Sequence, residues 1–80
     1  MSEFEIAVDG QISIGGKVTP YFYRSNPEHG DELWREEDPF FGTRFKRLTL
    51  PRRTYGTSEG ETMTLRRDVE KILAEEGWDF

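Results

Sequence analysis

The sequence predicts an α+β fold, a three- or four-stranded antiparallel sheet (a meander) packed in two layers against one C-terminal α-helix. Three observations carry this prediction. Apolar residues alternate with polar ones through the first quarter of the chain, Gly-containing turn dipeptides punctuate that alternation, and an apolar stripe at helical spacing lies near the C-terminus.

The first strand is expected over about residues 3–8, where Phe4, Ile6 and Val8 alternate with Glu3, Glu5, Ala7 and Asp9. Asp9-Gly10 is a hairpin dipeptide, because Gly accepts the positive φ that a tight turn demands. Ile12 and Ile14 continue the alternation in a second strand, about 11–15. Gly15-Gly16 makes the next turn, and Val18-Thr19-Pro20-Tyr21-Phe22-Tyr23 supplies a third strand, about 18–24. Pro20 cannot donate a ladder hydrogen bond, so this strand is expected at an edge, or with its Pro facing solvent.

Residues 25–43, SNPEHGDELWREEDPFFGT, interrupt the pattern. So long a structureless loop is unusual in a small fold. Asp31 is a candidate cap for a short helical turn that must stop near Asp38, since Pro39 disfavours helix before it. A fourth strand, about 46–50, centres on Leu48-Thr49-Leu50 and ends at Pro51. Residues 56–62, GTSEGET, read as a polar connector. In the last element Leu65, Val69, Ile72 and Leu73 fall at i, i+4, i+7 and i+8, giving a helix over about 65–76. Thr64 or Thr62 is its expected N-cap, Gly77 the left-handed residue after its end, and Trp78 a lid over Leu73.

Eighty residues, 34% apolar and 34% charged, make one small domain spanning 1–80 with a thin core. Folding at this size removes only roughly 60% of the unfolded chain's surface from water. With no Cys there is neither a disulfide nor a thiolate metal site, so aromatic packing, at 14% of residues, must contribute; assembly as a homo-oligomer is a second expected support. The opening MSEFEIAVDG lacks a basic segment and a long apolar run, and no membrane span is present. These features point to a cytoplasmic protein.

No catalytic constellation is evident. His29 is the single imidazole, and with Asp31 and Glu32 in one loop it falls short of the converging ligand set that a metal needs. Ser58 lacks the signature of an activated nucleophile, and Gly15-Gly16-Lys17 lacks the spacing of a phosphate loop. A non-enzyme without metal or cofactor is therefore expected.

Partner-binding residues are sought instead. Leu33-Trp34 and Phe40-Phe41 sit among carboxylates, as interface anchors do within a polar rim. The expected helix places Arg66 and Arg67 in its first turn and Glu75-Glu76 in its last, against its dipole, which suggests an external anion for the cations. Trp34, Phe40, Phe41, Arg52, Arg53, Arg66 and Arg67 are the expected contacts of a protein partner. The alternative is a nucleic-acid surface built from Arg44, Lys46, Arg47, Arg52 and Arg53, on a chain whose net charge of −5 opposes duplex attraction. Parity complicates that patch: if Leu48 points inward, so do Lys46 and Arg44, unless the strand begins, or bulges, near Lys46. The favoured expectation is a small regulator or inhibitor of a larger macromolecule; a structural subunit of an assembly is the third.

Overall fold

The computed structural model describes residues 3–37, 42 and 44–78. Five antiparallel strands form one sheet, followed by one helix, an α+β arrangement. The strands are β1 Phe4–Ile6, β2 Gln11–Ile14, β3 Lys17–Arg24, β4 Glu32–Glu37 and β5 Arg44–Leu48, and the helix α1 is Glu59–Glu75. They lie side by side in chain order, each paired with the next. The strand count is thus five rather than three or four.

The extra strand comes from the excursion. Residues 32–37 form β4, not a helical turn capped by Asp31. Glu and Arg favour helix locally, but here the strand gains a ladder on both flanks: Glu32 to Arg35 pair with Tyr21 to Arg24, and Leu33 to Glu37 pair with Arg44 to Leu48. Phe40 and Phe41 lie outside the described residues.

Pro20 is not on an edge strand, because β3 lies between β2 and β4. It is tolerated because the β2–β3 register shifts between Gln11, opposite Phe22, and Ser13, opposite Val18. The buried Thr19 hydroxyl repairs this irregularity by donating to the Ile12 carbonyl (2.6 Å) and accepting from the Tyr21 amide (3.3 Å). Gln11 Nε2 donates to the Thr19 carbonyl (3.2 Å). Val8, expected to continue the apolar alternation, is fully exposed, because β1 ends at Ile6 and residues 7–10 turn. Gly10 closes that turn at φ +91°, where a Cβ would strike the Tyr23 carbonyl.

The helix begins earlier than expected. Ser58 is its N-cap, its hydroxyl accepting from the Glu61 amide (3.2 Å) and donating to Glu61 Oε1 (2.8 Å). This Ser-x-x-Glu box converts much of the supposed connector into the first turn. Glu59 and Glu61 therefore stand where the dipole favours anions, and Arg66 and Arg67 lie mid-helix, so the reversed charge order expected at the N-terminus does not exist. The C-terminus behaves as expected: Gly77 has φ +88°, its amide donates to Ala74 (3.1 Å), and that of Trp78 donates to Leu73 (2.9 Å).

Leu65, Val69 and Leu73 of α1 share one buried cluster with Ile12, Ile14, Tyr21, Leu33, Leu48 and Tyr55. The Tyr21 and Trp78 rings meet edge to face at 6.2 Å. Arg35, also on this side, places its guanidinium 5.9 Å from the Tyr21 ring centre and bridges Glu76 at 3.1 Å. Among the described residues no helix is long and apolar enough to cross a membrane.

Candidate partner-binding surface

Strand parity sends every second residue away from α1. Register across the sheet places Gln11, Phe22, Trp34 and Arg47 in one row on that far face, with Phe45 opposite Glu36 in the next. Phe22 and Phe45 lie on strands separated by β4, yet their rings lean together over it, edge to face at 5.6 Å. Phe45 remains 49% exposed and Ile6 38%. Together with Val8, Trp34 and Arg24 these residues line an open groove of about 760 Å³. Volumes of this order and an aromatic lining are usual for binding grooves.

Trp34 is held in place from below. Its indole N–H donates to Glu32 Oε2 at 3.1 Å, and Glu32, only 8% exposed, offers its other oxygen to Arg47 at 3.8 Å. A buried carboxylate so engaged fixes the rotamer of Trp34 and ties it to the cation across the ladder. Trp34 is thus neither a helix-side core residue nor a freely exposed anchor: it is a half-buried part of the groove wall.

The basic stretch is straight. No register shift occurs along β5, so the expected bulge near Lys46 is absent. Phe45 and Arg47 face away from the helix, while Arg44 and Lys46 share the parity of buried Leu48. They avoid burial because the core cluster takes only Leu48 from β5. Arg47, Arg52 and Arg53 then line, with His29, a second cavity of about 300 Å³. Arg53 is tethered there, donating from Nη2 to the Glu28 carbonyl (2.9 Å).

Asp31 positions this corner. Its Oδ2 accepts from the Tyr23 hydroxyl (2.6 Å) and from the Tyr55 amide (2.9 Å), and its own amide donates to the Arg53 carbonyl. Gly30, at φ +88°, lets the two segments touch: a Cβ would lie 2.8 Å from the Arg53 carbonyl oxygen. Burial raises the Tyr23 hydroxyl far above its ordinary pKa, reinforced by the bond to Asp31. Tyr55 is raised in the same way, by burial and then by donation to Asp68 at 2.7 Å.

The comparisons with known proteins are silent. No family model, no curated protein and no solved structure matches this chain. The surface must speak through its own chemistry.

Of the expected contacts, Trp34 lies in the groove, and Arg52 and Arg53 border the second cavity, which Asp31 also lines. Arg66 is bound to Glu70 at 2.9 Å on the helix, and Arg67 is exposed on α1, so neither joins the groove. Phe22, Phe45 and Arg24 were missed. From the sequence Phe22 reads only as part of the third strand, and Phe45 carries no expected role. The available signal was that a Phe of outward parity, on each of two strands, marks a second apolar face. Among the described residues no group of three His, Cys, Asp or Glu converges to hold a metal.

Proposed function

We propose that this chain is a small, non-catalytic, cytoplasmic protein-binding module, a two-layer sheet-and-helix unit that regulates or inhibits a larger macromolecule. One observation carries the reading: the sheet face away from α1 keeps an apolar groove open to solvent, walled by Phe22, Trp34 and Phe45. Large exposed aromatics beside cations are what interfaces use as anchors, and a soluble surface seldom concentrates them without a partner. The Arg24 side chain at the groove margin makes no hydrogen bond or ion pair among the described residues, which leaves it available to a partner carboxylate.

The test uses the chain as bait in its native cell, with Phe45→Ser and Trp34→Ala as comparison baits. A protein held by the native chain through nuclease treatment and lost from both variants supports the reading. Retention by both variants, with their folding intact by circular dichroism, overturns it.

Nucleic-acid binding is the second reading, favoured by aromatic rings on an open sheet face, where bases stack in other modules. Against it stand the net charge of −5 and the division of the cations between two faces and a loop. A nuclease-sensitive complex whose affinity falls steeply with salt would favour this second reading. A structural role in a larger assembly remains the third, read out as co-purification at fixed stoichiometry.

A further inference from the structure

Resting on the reading of the chain as a protein-binding module, we propose that the free edge of β5 is the docking line for an extended acidic segment of the partner, which adds there as a sixth strand. β5 pairs with β4 on one side, and among the described residues no strand or backbone hydrogen bond satisfies the other. An edge of this kind offers a row of amide and carbonyl groups to any strand laid beside it.

Charge decides which strand is admitted. Arg44, Lys46 and Arg47 are all exposed along this edge. Neither the Arg44 nor the Lys46 side chain has a hydrogen bond or ion pair among the described residues. Lys46 even stands opposite Arg35, whose guanidinium is already bound by Glu76. Native sheets place cations on edges to repel one another. Arg44 and Lys46, whose side chains have no partner among the described residues, attract an acidic strand, since opposite charges across a ladder stabilise it. Beyond the end of β5, Arg52 and Arg53 line a cavity that also holds the Asp31 carboxylate, and add two further cations near this end of the strand. Phe45, exposed on the groove side, would flank an apolar residue of the same segment.

Two other occupants fit less well. The opposite edge of the sheet, β1, is acidic through Glu3 and Glu5, but its 3 residues cannot cover the 5 of β5 in a second copy. Phosphates cannot answer the alternating donors and acceptors of a strand edge, and a polyanion meets a chain of net charge −5.

The probe is a capped peptide of about ten residues alternating Glu with Thr and Val, a length set by the reach of a strand. Its controls carry Lys for Glu, or Pro at alternate positions to remove backbone donors while keeping the charge. Hydrogen exchange of residues 44–48 and calorimetric affinity are the readouts. The acidic peptide should bind, protect β5 and weaken with salt, and both controls should fail. Arg44→Glu with Lys46→Glu should lower its affinity about tenfold, and Lys46→Glu alone, which relieves the clash with Arg35 and keeps the fold, about threefold.

The proposal is overturned if either control peptide binds as well, if protection appears away from β5, or if oligothymidylate displaces the acidic peptide. It is also overturned if the chain forms concentration-dependent oligomers that Glu5→Lys dissolves, which would assign the edge to a second copy. Failure at β5 while Phe45→Ser bait still loses its partner removes the edge and leaves the groove. Binding at β5 while Phe45→Ser bait keeps every partner does the reverse.

Discussion

Tyr21 and Phe45 are both large aromatic residues on strands of the same sheet, one 1% exposed and the other 49%. Tyr21 belongs to the helix-side face, where Ile12, Ile14, Leu33 and Leu48 meet Leu65, Val69 and Leu73 of α1. Phe45 belongs to the opposite face, where its ring meets that of Phe22 edge to face. The helix-side residues share a buried cluster with α1, whereas Phe22, Trp34 and Phe45 on the far face line a groove that stays open among the described residues. The contrast teaches that this small chain spends aromatic residues on both sides of its sheet although it has one helix to cover them. The uncovered side is the economical place to look for a partner.

The comparison can be broken most directly by truncating each face. Leu33→Ala on the helix side should cost about 2–5 kcal/mol, enough to unfold much of the population of so small a fold. Phe45→Ala on the open side should cost about 1 kcal/mol or less, because half of that ring never left water. Urea denaturation followed by far-ultraviolet circular dichroism measures both. Equal costs would mean that the far face is part of the core and not a binding surface.

A second, smaller effect is a pH dependence confined to the helix-side face and its corner. The Tyr23 and Tyr55 hydroxyls, raised by burial above the ordinary tyrosine value of 10.0, keep their protons in the folded chain after the unfolded chain has lost them. Their contribution is complete below pH 10.0 and is lost as pH rises above it. Thermal melts should therefore fall steeply above that pH, and Tyr23→Phe with Tyr55→Phe should flatten the fall while leaving the acid side unchanged. A native chain equally stable at pH 9 and pH 11.5, values chosen to bracket the ordinary tyrosine pKa, would contradict this.

The smallest effect concerns the covering element itself. Ser58→Ala removes the N-cap and should cost about 1 kcal/mol, with Ser58→Asp restoring most of it. Exchange of amides 59–62 should quicken in the Ala variant, while the groove around Phe22 and Phe45 keeps its ligand affinity. Loss of that affinity would tie the two faces together.

Much of the frame was legible because it is governed by short-range rules. Alternation in Phe4-Glu5-Ile6 and in Gln11 to Ile14 marks half-buried strands, and Leu65, Val69 and Leu73 mark one helical stripe. Gly77 and Trp78 identify the helix end through local geometry alone. The Ser58–Glu61 box was equally local, but Gly56 and Gly60 beside it disguised a helix start as a loop.

The site was much less legible. Glu32-Leu33-Trp34-Arg35-Glu36-Glu37 carries the composition of a solvent-exposed helix, and local propensity favours that reading. Tertiary pairing overrides it, because two of its charges, Glu32 and Arg35, find partners far along the chain. Arg35 bridges Glu76 and lies over Tyr21, and Glu32 engages Arg47 as well as the Trp34 indole. In the same way parity alone divided Arg44, Lys46 and Arg47, but only the register against β4 showed that they line an edge. By itself the sequence determined the strands and helix whose periodicity is local, together with the shortage of covering surface. The tertiary structure decided which charges are neutralised, which aromatic rings stay open and where cations stand without an internal partner. Those outcomes depend on residues brought together across tens of positions of chain, and no local pattern encodes such distances.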